Sequence, residues 1–139
     1  MDVLAHFRNA RNLTDLQSGL VLFSEGEPGT NLFVLMEGSV AICVAGEVVE
    51  VAGPGALLGE MSLVDTPFRS ATVITRTPCR LISINRTQFD ALVRESPEFA
   101  RHVMAVMAHR LRHMNERLKD ATAKQLPAAR TAFPRDLPV

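Results

Sequence analysis

Apolar and polar positions follow two different periods along this chain, and the change between them divides it. Between Leu13 and Asn85 short apolar runs recur: Leu20–Phe23, Leu32–Met36, Val40–Val44, Val48–Val51, Ala56–Leu58, Ala71–Thr75 and Arg80–Ile84. Glu25-Gly26-Glu27-Pro28-Gly29, Glu37-Gly38, Ala45-Gly46 and Gly53-Pro54-Gly55 separate them, each with a glycine able to take the positive φ of a tight turn. Short β-branched runs closely spaced by such turns predict an all-β barrel or sandwich. Val40–Val44, Ala45-Gly46 and Glu47-Val48-Val49 in succession predict a hairpin. Ahead of the strands, Met1–Asn9 reads as one or two helical turns with Val3, Leu4 and Phe7 on the apolar side.

After Asn85 the period becomes helical. A helix begins around Asn85-Arg86-Thr87, with Asn85 or Arg86 preceding and Thr87 as a candidate cap, and Phe89, Leu92 and Val93 form its apolar side. Ser96-Pro97-Glu98 starts a second helix, with Ser96 at the cap and Pro97 at the first position, where a missing N–H costs nothing. No breaker follows until Pro127, so the pattern predicts a helix over about 97–126. Met104, Leu111 and Leu118 recur every seven residues, and so do Met107, Met114 and Ala121, offset by three. That is a heptad seam, ending at polar Gln125, and it predicts a homodimer through Met104–Ala121. Phe99, Val103 and Val106 form a second apolar edge, suited to packing the early turns on the β-domain. Residues 127–139, with Pro127, Pro134 and Pro138, read as a disordered tail. The domain expectation is therefore one unit over 1–126, long helix included.

Composition narrows the function classes. The 139 residues, 47% of them hydrophobic, fit one compact domain with a sizeable core. No run approaches the roughly eighteen apolar residues of a membrane span. The first residues, MDVLAHFRNAR, do not read as a secretory signal, so a cytoplasmic location and no membrane partner are expected. Cys43 and Cys79 have no metal-type spacing and read as two half-buried reduced thiols. Net charge is zero, yet seven basic residues face eleven acidic ones up to residue 97, and eight face four beyond it. Without Trp or Tyr to stack on bases, the basic end reads as a solvated helix face, and direct DNA binding is not expected. All four histidines (His6, His102, His109, His113) lie outside the strand region, so a metal-binding barrel is not supported. No nucleophile elbow or P-loop is present, and nothing points to an enzyme.

One stretch remains chemically distinctive. Gly59–Val73, GEMSLVDTPFRSATV, carries Glu60 and Ser62 at one end and Arg69-Ser70 nine residues after the glutamate. Arginine offers a planar fork of donors to phosphate oxygens. A helical turn after Gly59 presents backbone N–H groups, and Ser62 and Ser70 add hydroxyls. Ionised Glu60 only accepts, which suits a sugar hydroxyl. The set reads as a grip for one compact anion that also carries a hydroxyl. Glu25, Glu27 and Glu37 read as surface turn residues, and Gly26, Gly29 and Gly38 as turn-shaping glycines.

Gly59-Glu60-Met61-Ser62-Leu63 followed by Arg69-Ser70-Ala71-Thr72-Val73 resembles the phosphate-binding cassette of the cyclic nucleotide-binding domain family. The resemblance extends over roughly residues 13 to 125, through Gly19…Leu22-Phe23…Glu25-Gly26…Gly29…Leu32-Phe33-Val34-Leu35…Glu37-Gly38-Ser39-Val40 and Phe89…Leu92…Pro97. In style it is similar to the sensor half of the catabolite activator/fumarate-nitrate regulator group. It implies a mainly β fold with helices: an antiparallel jelly roll, then a short and a long helix. It implies a ligand, cAMP first and cGMP as the alternative, with no other cofactor. The implied ligand-binding set is Gly59, Glu60, Met61, Ser62, Arg69, Ser70 and Ala71, with Arg110, Met114 and Asn115 closing over the base. Glu60 would accept from the ribose 2′-OH; Arg69 would pair with the cyclic phosphate, helped by Ser70 and the Gly59–Ser62 backbone. Leu63, Ala71 and Val73 take packing roles. Met114-Asn115 stands where the activator group has a polar pair, which leaves the purine open, and Leu58 is a mild change before the cassette. Those regulators continue into a helix-turn-helix domain, which the residues after Leu126 are too few to form. The expectation is a sensor module that reports ligand through its long helix to an unknown downstream protein. Alternatives are a scaffold domain of the same fold that has lost nucleotide binding, and the sensor half of a DNA-binding regulator.

Overall fold

The structure is a computed structural model of the 139-residue chain, and it describes residues 1–121 and residue 132, the side chain of Ala121 excepted. The chain divides into two compact units, Met1–Ala108 and His109–Val139.

The first unit holds eight strands, in two antiparallel sheets of four. The strands are β1 (Leu13–Leu16), β2 (Val21–Phe23), β3 (Asn31–Glu37), β4 (Val40–Val44), β5 (Glu47–Ala52), β6 (Leu57–Leu58), β7 (Thr72–Thr75) and β8 (Cys79–Asn85). One sheet runs β1-β8-β3-β6 and the other β2-β7-β4-β5. This is the expected jelly roll. Ala45 and Gly46 join β4 to β5 with φ of 52° and 81°. Positive φ at both positions of a two-residue loop matches the right-handed twist of the flanking strands.

The run Leu32–Leu35 is apolar at every position because β3 is covered on both faces. Leu32 and Val34 join Ile82 and Ile84 in a cluster with Leu57, Leu63, Phe89, Phe99 and Val103, the helix-covered side of the first sheet. Leu35 and Leu81 face the other way, with Leu58 of the same sheet, into a cluster with Phe23, Val40, Ile42 and Val73 from the second sheet. Period-two alternation on a central strand thus supplies two cores at once.

The helices are α1 (Val3–His6), α2 (Met61–Val64), α3 (Arg86–Glu95) and α4 (Pro97–Ala121). At α3 the cap is Asn85, not Thr87: the Asn85 side chain accepts from Gln88 N at 2.9 Å, and Gln88 Oε1 accepts from Asn85 N at 2.9 Å. This reciprocal box satisfies two end donors together, which a threonine inside the first turn does not do. At α4, Ser96 caps as expected, its Oγ accepting from Phe99 N at 3.2 Å, with Pro97 in the first position.

Several expectations need correction. Strand β1 is not among the predicted runs, and it carries no apolar alternation, since Leu13, Thr14 and Asp15 are all exposed; it is held by pairing with β8 and by an Asp15–Arg80 ion pair at 2.8 Å. Ala56 and Ala71 lie just outside β6 and β7, and Leu20 outside β2. Leu4 is exposed, whereas Val3 is in the core. Cys79 is fully buried rather than half-buried, and both cysteines are free. On α4, Phe99 and Val103 are buried and Val106 packs beside them, as the second apolar edge requires; Met107, expected on the seam, packs there too. Met104, Leu111, Met114 and Leu118 are exposed. The continuation of the helix to residue 126, the seam's end at Gln125 and the tail 127–139 lie outside the described residues.

Among the described residues Phe99 is the largest fully buried side chain, and it meets Phe7 and Phe89 edge-on. Phe99→Ala is expected to cost about 3–5 kcal/mol in urea unfolding, as for other large aromatic truncations. One turn along the helix, burial lowers the pKa of His102, the N-terminal amine lowers it further, and Glu98 partly opposes them. The folded state therefore favours the neutral ring, and as pH falls through about 6.5 the unfolded chain takes up the proton first. Stability should drop with pH from that point downward, and His102→Gln should flatten the slope in melting curves between pH 7 and pH 5.

Candidate phosphate and sugar site

Arg69 sits on the segment between α2 and β7, and its surroundings are assembled from four separate parts of the chain. The loop after β2 is laced to it by backbone bonds of 2.8 Å: Gly26 N to Arg69 O, Arg69 N to Glu27 O, and Gly29 N to Pro67 O. A Pro28–Phe68 bridge adds to the lacing. The side chain then turns inward and is only 6% exposed. Its Nη1 donates to Asn31 O at 2.8 Å, to Ser62 Oγ at 3.0 Å and to Gly59 O at 3.3 Å. The guanidinium carbon lies 4.2 Å from the centroid of the Phe23 ring and 5.7 Å from that of Phe33.

The two edges of this guanidinium are treated differently. Nη1 is spent on protein acceptors. Nε is buried and has no hydrogen-bond partner among the described residues. Nε and Nη2 together form the side-on fork that arginine offers to two oxygens of a carboxylate or phosphate. Leaving a buried donor unsatisfied costs about 1–3 kcal/mol, more when the group is charged. Burial accordingly lowers the Arg69 pKa, and Glu27 and Glu60 oppose the shift by their charge.

Glu60 is completely buried beside this cation, at the turn where Gly59 takes φ +84° into α2. Ser62 is buried too, and its hydroxyl donates to Gly59 O at 2.9 Å while accepting from Arg69. The Ser62 proton is therefore engaged within the turn. Met61 and Ala71 are half-buried and Ser70 is exposed. The structure thus brings Gly59, Glu60, Ser62 and Arg69 into one cluster, with Met61, Ser70 and Ala71 adjoining them in the chain. Arg110, Met114 and Asn115 belong to the second unit, on the continuation of α4.

Sequence reasoning missed the supports. Gly29 shapes no positive-φ turn: a Cβ there would run into Nε and Cζ of Arg69 and lie 2.7 Å from its Cδ. It is a glycine of close approach, unlike Gly26, which has φ +84° and open space around it. Phe23 and Phe33 were legible only as core residues, because nothing in sequence spacing joins them to Arg69. Their links are the registers that set Phe23 opposite Val73 and Phe33 opposite Leu58.

A family model described as the cyclic nucleotide-binding domain matches residues 13–96. The chain belongs to that family. It is 30% identical over 118 residues to a CRP-like cAMP-activated global transcriptional regulator of Mycobacterium tuberculosis, covering 81% of this chain and 53% of the regulator. It is 38% identical over 98 residues to a cyclic nucleotide-gated potassium channel of Mesorhizobium japonicum, covering 70% of this chain and 27% of the channel. Among solved structures, the catabolite activator protein of Thermus thermophilus superposes with a TM-score of 0.69 at 30% identity, over 78% of this chain and 54% of that one. The chain spans about half the length of the curated regulator that it matches. Among the described residues, no helix is long and apolar enough to cross a membrane.

Gly29→Ala and Gly26→Ala separate two roles that glycine plays in this cyclic nucleotide-binding domain. Gly26→Ala is expected to cost about 1–2 kcal/mol, the left-handed backbone penalty, with Arg69 in place. Gly29→Ala should cost about 1–3 kcal/mol by overpacking and should swing the guanidinium off the Phe23 ring in a crystal structure. An unmoved Arg69 in the second variant would contradict the close-approach role.

Proposed function

We propose that this chain is a non-enzymatic sensor module for a cyclic purine mononucleotide, cAMP first and cGMP as the alternative. The observation that carries the reading is the half-satisfied guanidinium of Arg69 beside the buried carboxylate of Glu60. A singly charged cyclic phosphate offers two exocyclic oxygens, which match the Nε/Nη2 fork; the neighbouring ribose hydroxyl matches a carboxylate that can only accept. One ligand therefore answers both groups, and a simple phosphate answers only one. Family membership, with relatives named for cAMP activation and cyclic nucleotide gating, supports the same ligand class.

The remaining assignments follow the same reading. Ser70 and the Gly59–Ser62 backbone line the phosphate end, and Ala71 packs beside them. For Arg110, Met114 and Asn115 the role of closing over the base rests on the family resemblance. Exposed Met104, Leu111, Met114 and Leu118, repeating along α4, support a homodimer through the Met104–Ala121 seam, with the helices as the output to a downstream protein. A second reading, the sensor half of a DNA-binding regulator, is favoured by the chain's matching 53% of a transcriptional regulator. A gel-shift assay separates the two.

Isothermal titration of the full chain with cAMP and with cGMP tests the ligand. Saturable binding of one or both is expected, and Arg69→Ala should weaken it by roughly 2–5 kcal/mol, the usual cost of removing one side of a buried charged contact. Arg69→Lys should not restore it, since an ammonium has no fork. Absence of binding to either nucleotide by the unaltered chain would overturn the proposal.

A further inference from the structure

We infer that Phe23 is a positioning residue for the bound anion: its ring face, with Phe33 beside it, sets the plane of the Arg69 guanidinium and so aims the Nε/Nη2 edge. This inference rests on the phosphate role proposed for Arg69.

Three observations converge on it. The guanidinium carbon lies 4.2 Å from the Phe23 centroid, within the distance at which a cation is attracted by a ring face. Phe23 is itself held flat, since Phe33 stacks with it at 6.1 Å between centroids and 24° between planes. And Phe23 is buried in the core between the sheets, so its ring has little freedom to follow the arginine.

The hydrogen bonds of Arg69 do not fix its plane by themselves. All three run from Nη1, and a planar group held by its own Cδ and at Nη1 can still rotate about the line between those two points. A second restraint, away from Nη1, is needed to bring Nε and Nη2 to a defined place. The Phe23 ring supplies it from one side, and the absence of a Cβ at Gly29 leaves room for Nε and Cζ. The aromatic face thus acts on affinity through orientation, without touching the ligand. A leucine fills similar space but has no face, and a lysine at position 69 has no plane to orient.

The test is a double-mutant cycle of Phe23→Leu and Arg69→Lys in the full chain, read as the dissociation constant for whichever of cAMP and cGMP the unaltered chain binds. Phe23→Leu is expected to weaken binding about 2- to 30-fold, the range of a cation–aromatic contact. In the Arg69→Lys background the same change should have less than half that effect on a logarithmic scale. A role in folding alone would lower affinity by the same factor in both backgrounds. As a direct signature, the Arg69 Nε–H signal in a proton–nitrogen correlation spectrum should sit upfield, under the ring, and move downfield in Phe23→Leu. Should Phe23→Leu melt below the working temperature, Phe33→Leu, at a half-buried position, is measured in its place with a smaller shift in the same sense. Binding by the unaltered chain together with equal factors in the two backgrounds overturns this inference and leaves the ligand proposal standing. Failure of the unaltered chain to bind either nucleotide overturns both.

Discussion

A guanidinium cannot be taken out of water without acceptors, and much of the local structure around the cassette answers that one requirement. Arg69 is drawn to 6% exposure by a loop whose backbone is bonded to it on both sides. Its acceptors come from the start of β3 (Asn31 O), the cassette turn (Gly59 O) and α2 (Ser62 Oγ). Its flat support comes from β2 and β3 through Phe23 and Phe33. Elements from both sheets thus meet at one charge, with Glu27 and Glu60 offsetting the cost of burying it. What is left over, a buried Nε without an acceptor, is a stored cost of the kind that native proteins rarely carry outside functional sites.

This requirement also explains the glycines around the charge. Gly59 and Gly29 flank the guanidinium, and at each a Cβ would collide with it. Gly59 also needs φ +84°, so sterics and backbone conformation demand glycine there for two reasons. At Gly29 only the approach demands it. The distinction matters because a turn glycine answers to the backbone alone, whereas these two answer to the side chain of a residue distant in sequence.

The sequence made the strands of the double-sided core legible, since apolar runs such as Leu32–Leu35 and Val40–Val44 dominate their local windows. It made the hairpin at Ala45-Gly46 and the Ser96-Pro97 helix start legible through turn and cap chemistry. It hid β1, whose Leu13-Thr14-Asp15-Leu16 has almost no buried face and is defined by its partner β8 and an Asp15–Arg80 contact. In the site, charged and hydroxyl residues at cassette spacing could be read directly. Gly29, Phe23 and the Asn31 carbonyl could not, because each reaches Arg69 through sheet register or through a backbone atom common to every residue. Sequence spacing encodes which groups do chemistry more readily than what holds them at the right angle.

The cassette is also tied to the helices by shared packing. Leu63 of α2 lies in the same buried cluster as Phe89 of α3 and Phe99 and Val103 of α4. Interiors of this density do not deform continuously, so a shift of α2 must be taken up by rearrangement among those side chains. Ser62, the residue before Leu63, is bonded to Arg69, and a guanidinium that acquires new oxygen acceptors on its Nε/Nη2 edge alters the hydrogen bonds its Nη1 donates, including the one to Ser62. The chain of contacts from charge to helix is short: Arg69, Ser62, Leu63, then Phe99. Each link is a hydrogen bond, a covalent neighbour or a shared core, and none requires a long-range field. If an anion binds Arg69 as proposed, its effect can reach the start of α4 as a packing change, the form in which a helix is able to pass it on.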